Sequence, residues 1–267
     1  MTSTPAFSGS IPDLYDRTLV PLWFAPFAAD LAARAAVLAP QRVLEVAAGT
    51  GALTRALVES VPGVDIEATD LSPEMLARAS SRADTPRVRW SVADAARLSF
   101  PDASFDLVAC QFAVMFFDRP AAFREARRVL KPGGTYLFNV WDGLDANDVA
   151  RVAQEAIGTL YPEDPPQFFA RVPYGHGDPA PIERHLREAG FAPVEHDAVV
   201  TRSRYRSAHD VAVAICEGTP IRHELVARDP GGPGAAIEAV ERALRRAYGD
   251  EEVDGAQRAF VFAARAS

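Results

Sequence analysis

Carboxylates stand at the ends of three successive apolar segments in the N-terminal half of the chain. Glu45 belongs to the first segment, Val43–Val46, Asp70 ends the second, and Asp94 follows the third. The first segment runs into a turn of small residues, Ala47–Gly51. If the segments are parallel strands, their carboxyl ends meet at one edge, where open α/β sheets bind ligands. The spacing therefore predicts one ligand site built from three acids and a glycine-containing turn.

The turn Ala47–Gly51 has the composition of a nucleotide-binding loop, and two neighbouring residues narrow the class of nucleotide. Glycine lets a backbone approach a ligand closely, and the helix that the turn opens presents unpaired N–H groups. The dinucleotide fingerprint would place its third glycine at position 54, which is Thr54 here. Glu45 would repel a pyrophosphate but could help to hold an ammonium group. Both residues argue against a nicotinamide-dependent oxidoreductase, which remains an alternative.

The other two acids suit the parts of an adenosine. A carboxylate at the end of the second strand can accept hydrogen bonds from both ribose hydroxyls, which predicts this role for Asp70. Asp94, followed by Ala95, can accept a hydrogen bond from an exocyclic adenine amine. Leu71 and Met75 are expected to sandwich the adenine ring.

The elements that must position these residues alternate between strands and helices from residue 41 onwards. Ser72 is a good helix N-cap before Pro73, and Asp118 caps a later helix with one apolar stripe. The segment Lys131–Gly134 ends that later helix, because proline and paired glycines cannot continue it. Strands are predicted at 42–46, 64–69, 88–92, 105–110 and 135–141.

The pattern is weaker after Trp141. It predicts helices at 147–160 and 182–189, a mostly helical stretch at 208–249, and strands at 193–200 and 258–264. The fold class is therefore α/β, with a Rossmann-like, seven-stranded, mostly parallel sheet and helices on both faces. The predicted organisation is an N-terminal helical cap at 1–40, a ligand-binding Rossmann-like core at 41–145, and a remainder at 146–267 with substrate-cap insertions at 162–181 and 203–250.

Five motifs, in this order and spacing, resemble the class I S-adenosylmethionine-dependent methyltransferases. They are Glu45–Gly51, Ala68–Ser72, Ala93–Ala95, Phe105–Val108 and Val129–Gly134. The nearest group is the small-molecule branch that includes the ubiquinone and menaquinone biosynthesis C-methyltransferases. The resemblance is strong over about residues 15–141. It implies S-adenosylmethionine as cofactor and methyl transfer to an O, N or C atom of a small, partly apolar metabolite.

The resemblance also assigns roles at the ends of the first four strands. The methionine moiety, the ribose and the adenine would be held in turn by Glu45 with the Gly49 and Gly51 turn, by Asp70 and by Asp94. Two residues after the fourth strand, Gln111 and Phe112, would face the sulfonium.

Two further positions relate to the cofactor by resemblance. Tyr15 resembles an N-terminal tyrosine that closes over the cofactor in related enzymes. The family's usual first glycine is Ala47 here. A Cβ is expected to hold φ below zero at this position, so the first turn would differ slightly, changing the cofactor affinity without abolishing it.

The acceptor side is less defined. Alignment and exclusion of water are the main needs of methyl transfer from a sulfonium, and oxygen or carbon acceptors can also need a general base. His176 is the predicted base, with His223 and Glu224 as the weaker alternative and a solvent-exposed loop histidine as the structural one. An apolar acceptor pocket is expected from Phe112, Met115, Phe116, Phe117, Trp141, Phe168, Phe169 and Tyr174, although Met115–Phe117 could equally be core.

Composition limits the remaining function classes. The net charge of −8 disfavours nucleic acid and anionic membrane surfaces as partners. Neither a signal peptide nor an apolar run of about 18 residues is evident, so we expect a cytoplasmic protein without a membrane span. The spacing of Cys110 and Cys216 fits no metal site or disulfide. A small-molecule substrate is expected, and the oligomeric state is not determined. A reaction that uses the sulfonium charge without methyl transfer, and a non-catalytic binding module, also stay open.

Overall fold

A computed structural model describes residues 11–82 and 85–267 of the chain, so the first ten residues of the predicted N-terminal cap lie outside the described ranges. The chain divides into two compact units. The core unit comprises Ala25–Val140, Asp178–Val199 and Ala259–Ser267. The accessory unit comprises the described residues up to Phe24 together with Trp141–Gly177 and Val200–Arg258.

The described residues form a seven-stranded sheet in the order β3-β2-β1-β4-β5-β7-β6. The pairs β1–β2, β1–β4, β2–β3 and β4–β5 are all parallel. The prediction of a seven-stranded, mostly parallel sheet is therefore confirmed. The strands are β1 (Arg42–Val46), β2 (Asp65–Asp70), β3 (Val88–Val92), β4 (Phe105–Gln111), β5 (Leu130–Trp141), β6 (Phe191–Tyr205) and β7 (Val253–Ala266).

Helices fill most of the remaining described chain, and their positions follow the predicted pattern. A π-helical segment, Tyr15–Phe24, joins the first two helices, and short 3₁₀ turns lie at Val114–Phe116 and Leu144–Ala146. The α-helices are α1 (Ile11–Leu14), α2 (Ala25–Leu38), α3 (Ala52–Ser60), α4 (Pro73–Ser80), α5 (Arg119–Val129), α6 (Asp148–Leu160), α7 (Phe168–Arg171), α8 (Ala180–Glu188), α9 (Ala208–Gly218), α10 (Ile221–Arg228) and α11 (Gly234–Tyr248).

The N-caps predicted for α4 and α5 are present. Ser72 Oγ accepts a hydrogen bond from the backbone N–H of Met75 at 3.2 Å. Asp118 Oδ1 accepts one from the N–H of Ala121 at 3.3 Å. Each cap satisfies a backbone donor that the first turn of a helix leaves unpaired, so these short polar residues fix where the two helices begin.

Two apolar layers, one on each face of the core-unit sheet, explain why its strands are so hydrophobic. Along β4, Leu107 and Ala109 belong to one buried cluster, while Val108 and Cys110 belong to the other. Successive strand residues point to opposite faces, so a sheet covered on both sides needs apolar residues at every position. The first cluster also contains residues of α2 and α3, and the second contains residues of α5 and α8.

Three strands are longer than the sequence pattern indicated. Strand β5 begins at Leu130, which pairs with Phe105, and the ladder then shifts so that Thr135 pairs with Leu107. The intervening bulge includes Gly133 at φ 79°, and the proline and glycines there led the sequence analysis to begin the strand at Thr135. Strands β6 and β7 extend beyond 193–200 and 258–264 because polar side chains support their additional residues: Arg202 Nε, for example, donates to Asp254 Oδ1 at 2.6 Å.

One helical stretch is apolar enough to be noted as a membrane-span candidate by length and composition. Tyr15–Leu38 covers 24 residues with a mean hydropathy of 1.2 in its most apolar window, although the sequence analysis found no such run. Half of that window is buried inside the protein. A buried core helix passes the same test, so this stretch is weak evidence for a membrane span.

Candidate functional site

Glu45 is a fully buried carboxyl group in β1, and its side chain pairs with Thr54. Thr54 Oγ1 donates to Glu45 Oε2 at 2.6 Å, and both side chains are almost completely enclosed. Burial raises the pKa of Glu45 to about 8, against the lowering effects of the Thr54 hydrogen bond and the Arg55 charge. A buried carboxylate without a cation is costly. A cationic group brought next to Glu45 would therefore be favoured strongly.

The turn after β1 contains left-handed residues, and one of them corrects a prediction. Gly49 and Gly51 have φ values of 56° and 79°, which glycine adopts without strain. Ala47 also lies in this region, at φ 54°, so the expectation that its Cβ would hold φ below zero is wrong. The surrounding backbone overrides the alanine preference: the next residue, Ala48, donates its N–H to Thr69 O at 2.8 Å. Ala47 is therefore strained in its left-handed conformation, and the hydrogen bonds of the turn compensate for this strain.

The two glycines of the turn face different surroundings. A Cβ on Gly51 would lie 3.1 Å from the Trp90 ring and 3.2 Å from Ala79 Cβ, so this glycine allows close packing inside the protein. A Cβ on Gly49 would meet none of the described atoms within 4 Å. Gly49 therefore exposes its backbone to open space, as a loop that receives a ligand requires. The hydroxyl of Thr50, between the two glycines, is buried with no hydrogen-bond partner among the described residues.

Asp70 is held by the backbone on both sides of its carboxylate. The N–H of Gly49 donates to Oδ2 and the N–H of Ser72 donates to Oδ1, each at 2.8 Å. Burial raises its pKa, although the hydrogen bonds from Ser72 and Gly49 act in the opposite direction. A backbone hydrogen bond from Leu71 lowers this pKa as well. The carboxylate is thus fixed in orientation by the backbone, at the strand end where a ribose diol could donate to it.

The predicted adenine site is an exposed apolar surface beside Asp94. Asp94 Oδ1 accepts a hydrogen bond from the N–H of Ala96 at 2.9 Å, which holds the carboxylate in the turn after β3. Leu71 is 58% exposed and Val92 is 59% exposed. Met75, predicted to contact the ring, is only 3% exposed and packs within the core unit. Val92 is therefore a further apolar residue available at this edge, in addition to Leu71.

Gln111 and Phe112 lie where β4 ends. Gln111 is the last residue of the strand and pairs with Asn139 of β5. Phe112 is buried, has φ 50°, and donates its N–H to Asn139 Oδ1 at 2.9 Å. Its ring meets the Phe27 ring edge-on, with the centroids 5.2 Å apart. Asn139 Nδ2 is buried without a hydrogen-bond partner in the described part of the chain.

The residues predicted for the acceptor pocket divide between the two units. Met115 and Phe116 are half-buried in the core unit and pack against its second apolar cluster. In the accessory unit the rings of Trp141 and Tyr174 are 5.6 Å apart, and those of Phe169 and Tyr174 are 6.1 Å apart. The accessory-unit rings pack on one another in a chain that comprises Tyr15, Trp23, Phe24, Trp141, Phe168, Phe169 and Tyr174.

The two predicted bases have different surroundings. His176 is half-buried, and the loop that carries it packs on the turn after β5: a Cβ on Gly177 would lie 3.2 Å from the N of Gly143. Glu224 accepts hydrogen bonds from the Gln167 N–H at 2.6 Å and from Arg171 at 3.3 Å. Glu224 therefore helps to hold α7, while His223 with Glu224 stays the alternative prediction for the base.

Three site residues were missed by the sequence analysis as contributors. Thr54 stands where the dinucleotide fingerprint has its third glycine, and the sequence analysis used it only as an argument against a dinucleotide. This departure could also have indicated that Thr54 contributes to the site. The period-2 alternation of β3 places Val92 on the same face as the buried Val88, so it gave no signal that Val92 is exposed. Asn139 gives no local signal, because its partner Phe112 is distant in sequence. Among the described residues, no group of three or more His, Cys, Asp or Glu could hold a metal ion.

Comparison with known proteins identifies one domain. Residues 43–134 match a family model described as a methyltransferase domain. The demethylmenaquinone methyltransferase of Deinococcus radiodurans is 44% identical over 106 residues, which cover 39% of this chain and 44% of that protein. The malonyl-[acyl-carrier protein] O-methyltransferase of Hahella chejuensis is 44% identical over 96 residues, or 36% of this chain and 34% of that protein. The chain thus matches less than half the length of either relative.

The solved structures show how far the likeness of fold extends. A candidate methyltransferase from Bacillus halodurans C-125 superimposes with a TM-score of 0.58 at 21% identity, covering 90% of this chain and 98% of that one. At this identity the likeness is one of fold. The resemblance to class I methyltransferases is confirmed, at the level of sequence for residues 43–134 and at the level of fold for most of the chain.

Proposed function

We propose that the protein is an S-adenosylmethionine-dependent methyltransferase whose acceptor is an O, N or C atom of a small, partly apolar metabolite. The observation that carries the proposal is Asp70, whose carboxylate is fixed in orientation at the end of β2 by the backbone N–H groups of Gly49 and Ser72. This carboxylate follows a turn in which Gly49 borders open space. The family match over residues 43–134 supports the same conclusion. A cytoplasmic location is part of the proposal.

The residues of the core unit fit each part of this cofactor. Glu45 would hold the methionine ammonium, since a cation relieves the cost of its burial. The backbone of Gly49 and Gly51 would lie along the methionine chain. Asp70 would accept hydrogen bonds from the ribose hydroxyls, and Asp94 from the adenine amine, with Leu71 and Val92 against the ring. When bound, the cofactor supplies a sulfonium whose methyl group is already activated for in-line displacement.

The acceptor side of the proposal is supported by the names of two relatives and by the aromatic residues of the accessory unit. The names of the two relatives describe a demethylated menaquinone and a malonyl group on a carrier protein as acceptors. Both names describe methyl transfer to an acceptor other than a nucleic acid, in line with the metabolite acceptor proposed here. We assign the acceptor pocket to the aromatic residues Trp141, Phe168, Phe169 and Tyr174 of the accessory unit. His176 would take the acceptor proton, since its loop packs on the turn that follows β5.

The test has two stages. The purified protein is titrated calorimetrically with S-adenosylmethionine, with S-adenosylhomocysteine, and with NAD as control. Binding of the two sulfur nucleosides and not of NAD is the expected result. Binding of NAD alone would mean an oxidoreductase, and a folded protein that binds none of the three would contradict the proposal.

The second stage measures transfer of a labelled methyl group to a panel that begins with demethylmenaquinone and malonyl-carrier protein. A labelled product with equimolar S-adenosylhomocysteine is expected for at least one small acceptor. If an acceptor is transformed while the cofactor is recovered unchanged, the fixed-charge alternative replaces methyl transfer.

A further inference from the structure

Phe112 holds an unusual backbone conformation at the end of β4. Its φ of 50° lies in the left-handed region, where a bulky side chain is rarely found. The residue is also buried, so water does not readily satisfy its backbone. Strained residues of this kind persist where neighbouring groups hold them, and they cluster at functional sites. A neighbouring group must therefore stabilise the left-handed conformation of Phe112.

That group is the side chain of Asn139. The β4–β5 ladder ends with the pair Gln111 and Asn139, so the N–H of the next residue, Phe112, has left the ladder. Asn139 Oδ1 accepts this N–H at 2.9 Å. The side chain replaces the carbonyl that a further ladder residue would have supplied, and the chain can turn sharply at this point. The ring of Phe112 is then fixed edge-on against Phe27 of α2.

We propose that Asn139 is a positioning residue for the cofactor site, acting by holding Phe112 in its left-handed conformation. The inference rests on the proposed function, in which Gln111 and Phe112 face the reactive end of the cofactor. Without the acceptor oxygen, Phe112 relaxes to a negative φ, its ring leaves Phe27, and the end of β4 no longer presents the same surface. Asn139 does not itself need to touch the cofactor.

The Nδ2 atom of Asn139 argues against a purely structural role for this residue. Asn139 is completely buried, and its Nδ2 has no acceptor among the described residues. A buried donor without a partner destabilises a fold. Replacing Asn139 by leucine removes that unsatisfied donor together with the useful acceptor, so the two effects on folding oppose each other. An asparagine kept for stability alone would be a poor choice here.

The test compares affinity for S-adenosylhomocysteine, measured calorimetrically on the full chain, with the thermal midpoint of each variant. Asn139→Leu is expected to weaken binding about tenfold, because only a minor fraction of the variant would then hold Phe112 in the left-handed conformation that binds. Asn139→Asp keeps an oxygen at the same place, and near pH 6, where burial favours its neutral form, its dissociation constant should stay within about threefold of wild type. If Asn139→Leu gives little folded protein, Asn139→Ala replaces it.

A double-mutant cycle shows whether Asn139 acts through Phe112. Phe112→Ala is combined with Asn139→Leu, and the second substitution should add little to the loss caused by the first. Ser203→Ala is the control: it removes another buried hydrogen bond, to Gln257 at 3.0 Å, and should lower the thermal midpoint without changing the dissociation constant.

Three results would overturn the inference while leaving the cofactor assignment intact. They are an unchanged dissociation constant in Asn139→Leu, a folded Asn139→Asp as weak as the leucine variant, and additive losses in the cycle. Absence of binding by the wild-type protein would instead contradict the proposed function itself, and this inference with it.

Discussion

Asp70→Ala is the change that tests the cofactor site most directly. The carboxylate of Asp70 is fixed by the backbone N–H groups of Gly49 and Ser72, each at 2.8 Å, and Leu71 contributes a further backbone hydrogen bond. The substitution removes the predicted ribose acceptors and also leaves these backbone donors without their partner. Its effects on binding and on folding therefore have to be worked out separately.

For binding, the loss of a hydrogen bond to a charged group amounts to about 1.5–3 kcal/mol. Since about 1.4 kcal/mol corresponds to a tenfold change in affinity, the dissociation constant for S-adenosylhomocysteine should rise about 10- to 150-fold. For folding, two opposing changes occur. Gly49 and Ser72 lose an acceptor, but the partly buried carboxyl group, whose pKa is raised by burial, is no longer present. The change in unfolding free energy should therefore be small.

Asp106→Ala provides a matched control in the same sheet. Its Oδ2 also accepts two backbone N–H groups, those of Gln41 at 3.1 Å and Arg42 at 2.8 Å, and Oδ1 pairs with Lys131. Asp106 stands at the start of β4, and Arg42 opens the neighbouring parallel strand, so these bonds lie at the edge opposite to the site. The control variant should lose stability without a change in ligand affinity.

Calorimetric titration with S-adenosylhomocysteine, together with thermal unfolding of both variants, gives the two quantities needed. An Asp70→Ala protein that folds and binds within twofold of wild type would refute the assignment of Asp70 as the ribose ligand. An Asp106→Ala protein with an equal loss of affinity would show that the effect of Asp70→Ala comes from disturbance of the sheet. Only a loss specific to Asp70 supports the reasoning.

Further expectations concern the turn, the buried acid and the base. Gly49→Ala should weaken binding of S-adenosylhomocysteine, while Gly133→Ala, at φ 79° and also with open space around its Cβ, should cost similar stability (about 1–2 kcal/mol) without affecting binding. Ala47→Gly should raise the unfolding free energy by up to about 1 kcal/mol in chemical denaturation, because glycine adopts φ 54° without strain. Burial raises the pKa of Glu45 to about 8 from 4.5, so between these pH values the folded protein retains a proton that the unfolded chain releases. The stability of the protein should therefore fall as the pH rises through this window. The thermal midpoint of Glu45→Gln, measured across the same pH range, should lack this part of the pH dependence. His176→Ala should lower the methyl-transfer rate with an unchanged dissociation constant for S-adenosylhomocysteine, and an unchanged rate would remove it as the base.

The elements that carry the proposed cofactor residues could be predicted because local sequence patterns identify them. Ser72 and Asp118 begin their helices where short polar caps indicated. The alternation of strands and helices determined β1 to β4 closely. In β1, β2 and β4 most residues are buried on both faces, and few other conformations would hide so many apolar residues. Relative to the predicted bounds, these four strands shift by one residue at most.

Predictions failed where a residue's conformation depends on neighbours distant in sequence. Ala47 was expected to avoid the left-handed region on the basis of its own preference, but bonds from the neighbouring strand hold the turn. Strand β5 was expected to begin after its glycines, whereas Leu130 already pairs with Phe105 before the bulge. In both cases tertiary pairing outweighs a local preference of about 1–2 kcal/mol.

The same distinction explains why the sequence predicts the cofactor residues in more detail than the acceptor residues. The acids assigned to the cofactor, such as Asp70 at the end of β2 and Asp94 after β3, stand at the ends of strands that the local sequence pattern predicts. The residues assigned to the acceptor come from separate stretches, Trp141 at the end of β5 and Phe168–His176 beyond α6, which meet only through packing. Sequence pattern determines the first kind of site and leaves the second free to vary. This difference is expected of a fold that keeps one cofactor while its acceptor changes. Substitutions of the aromatic residues in the accessory unit are therefore the way to find the acceptor.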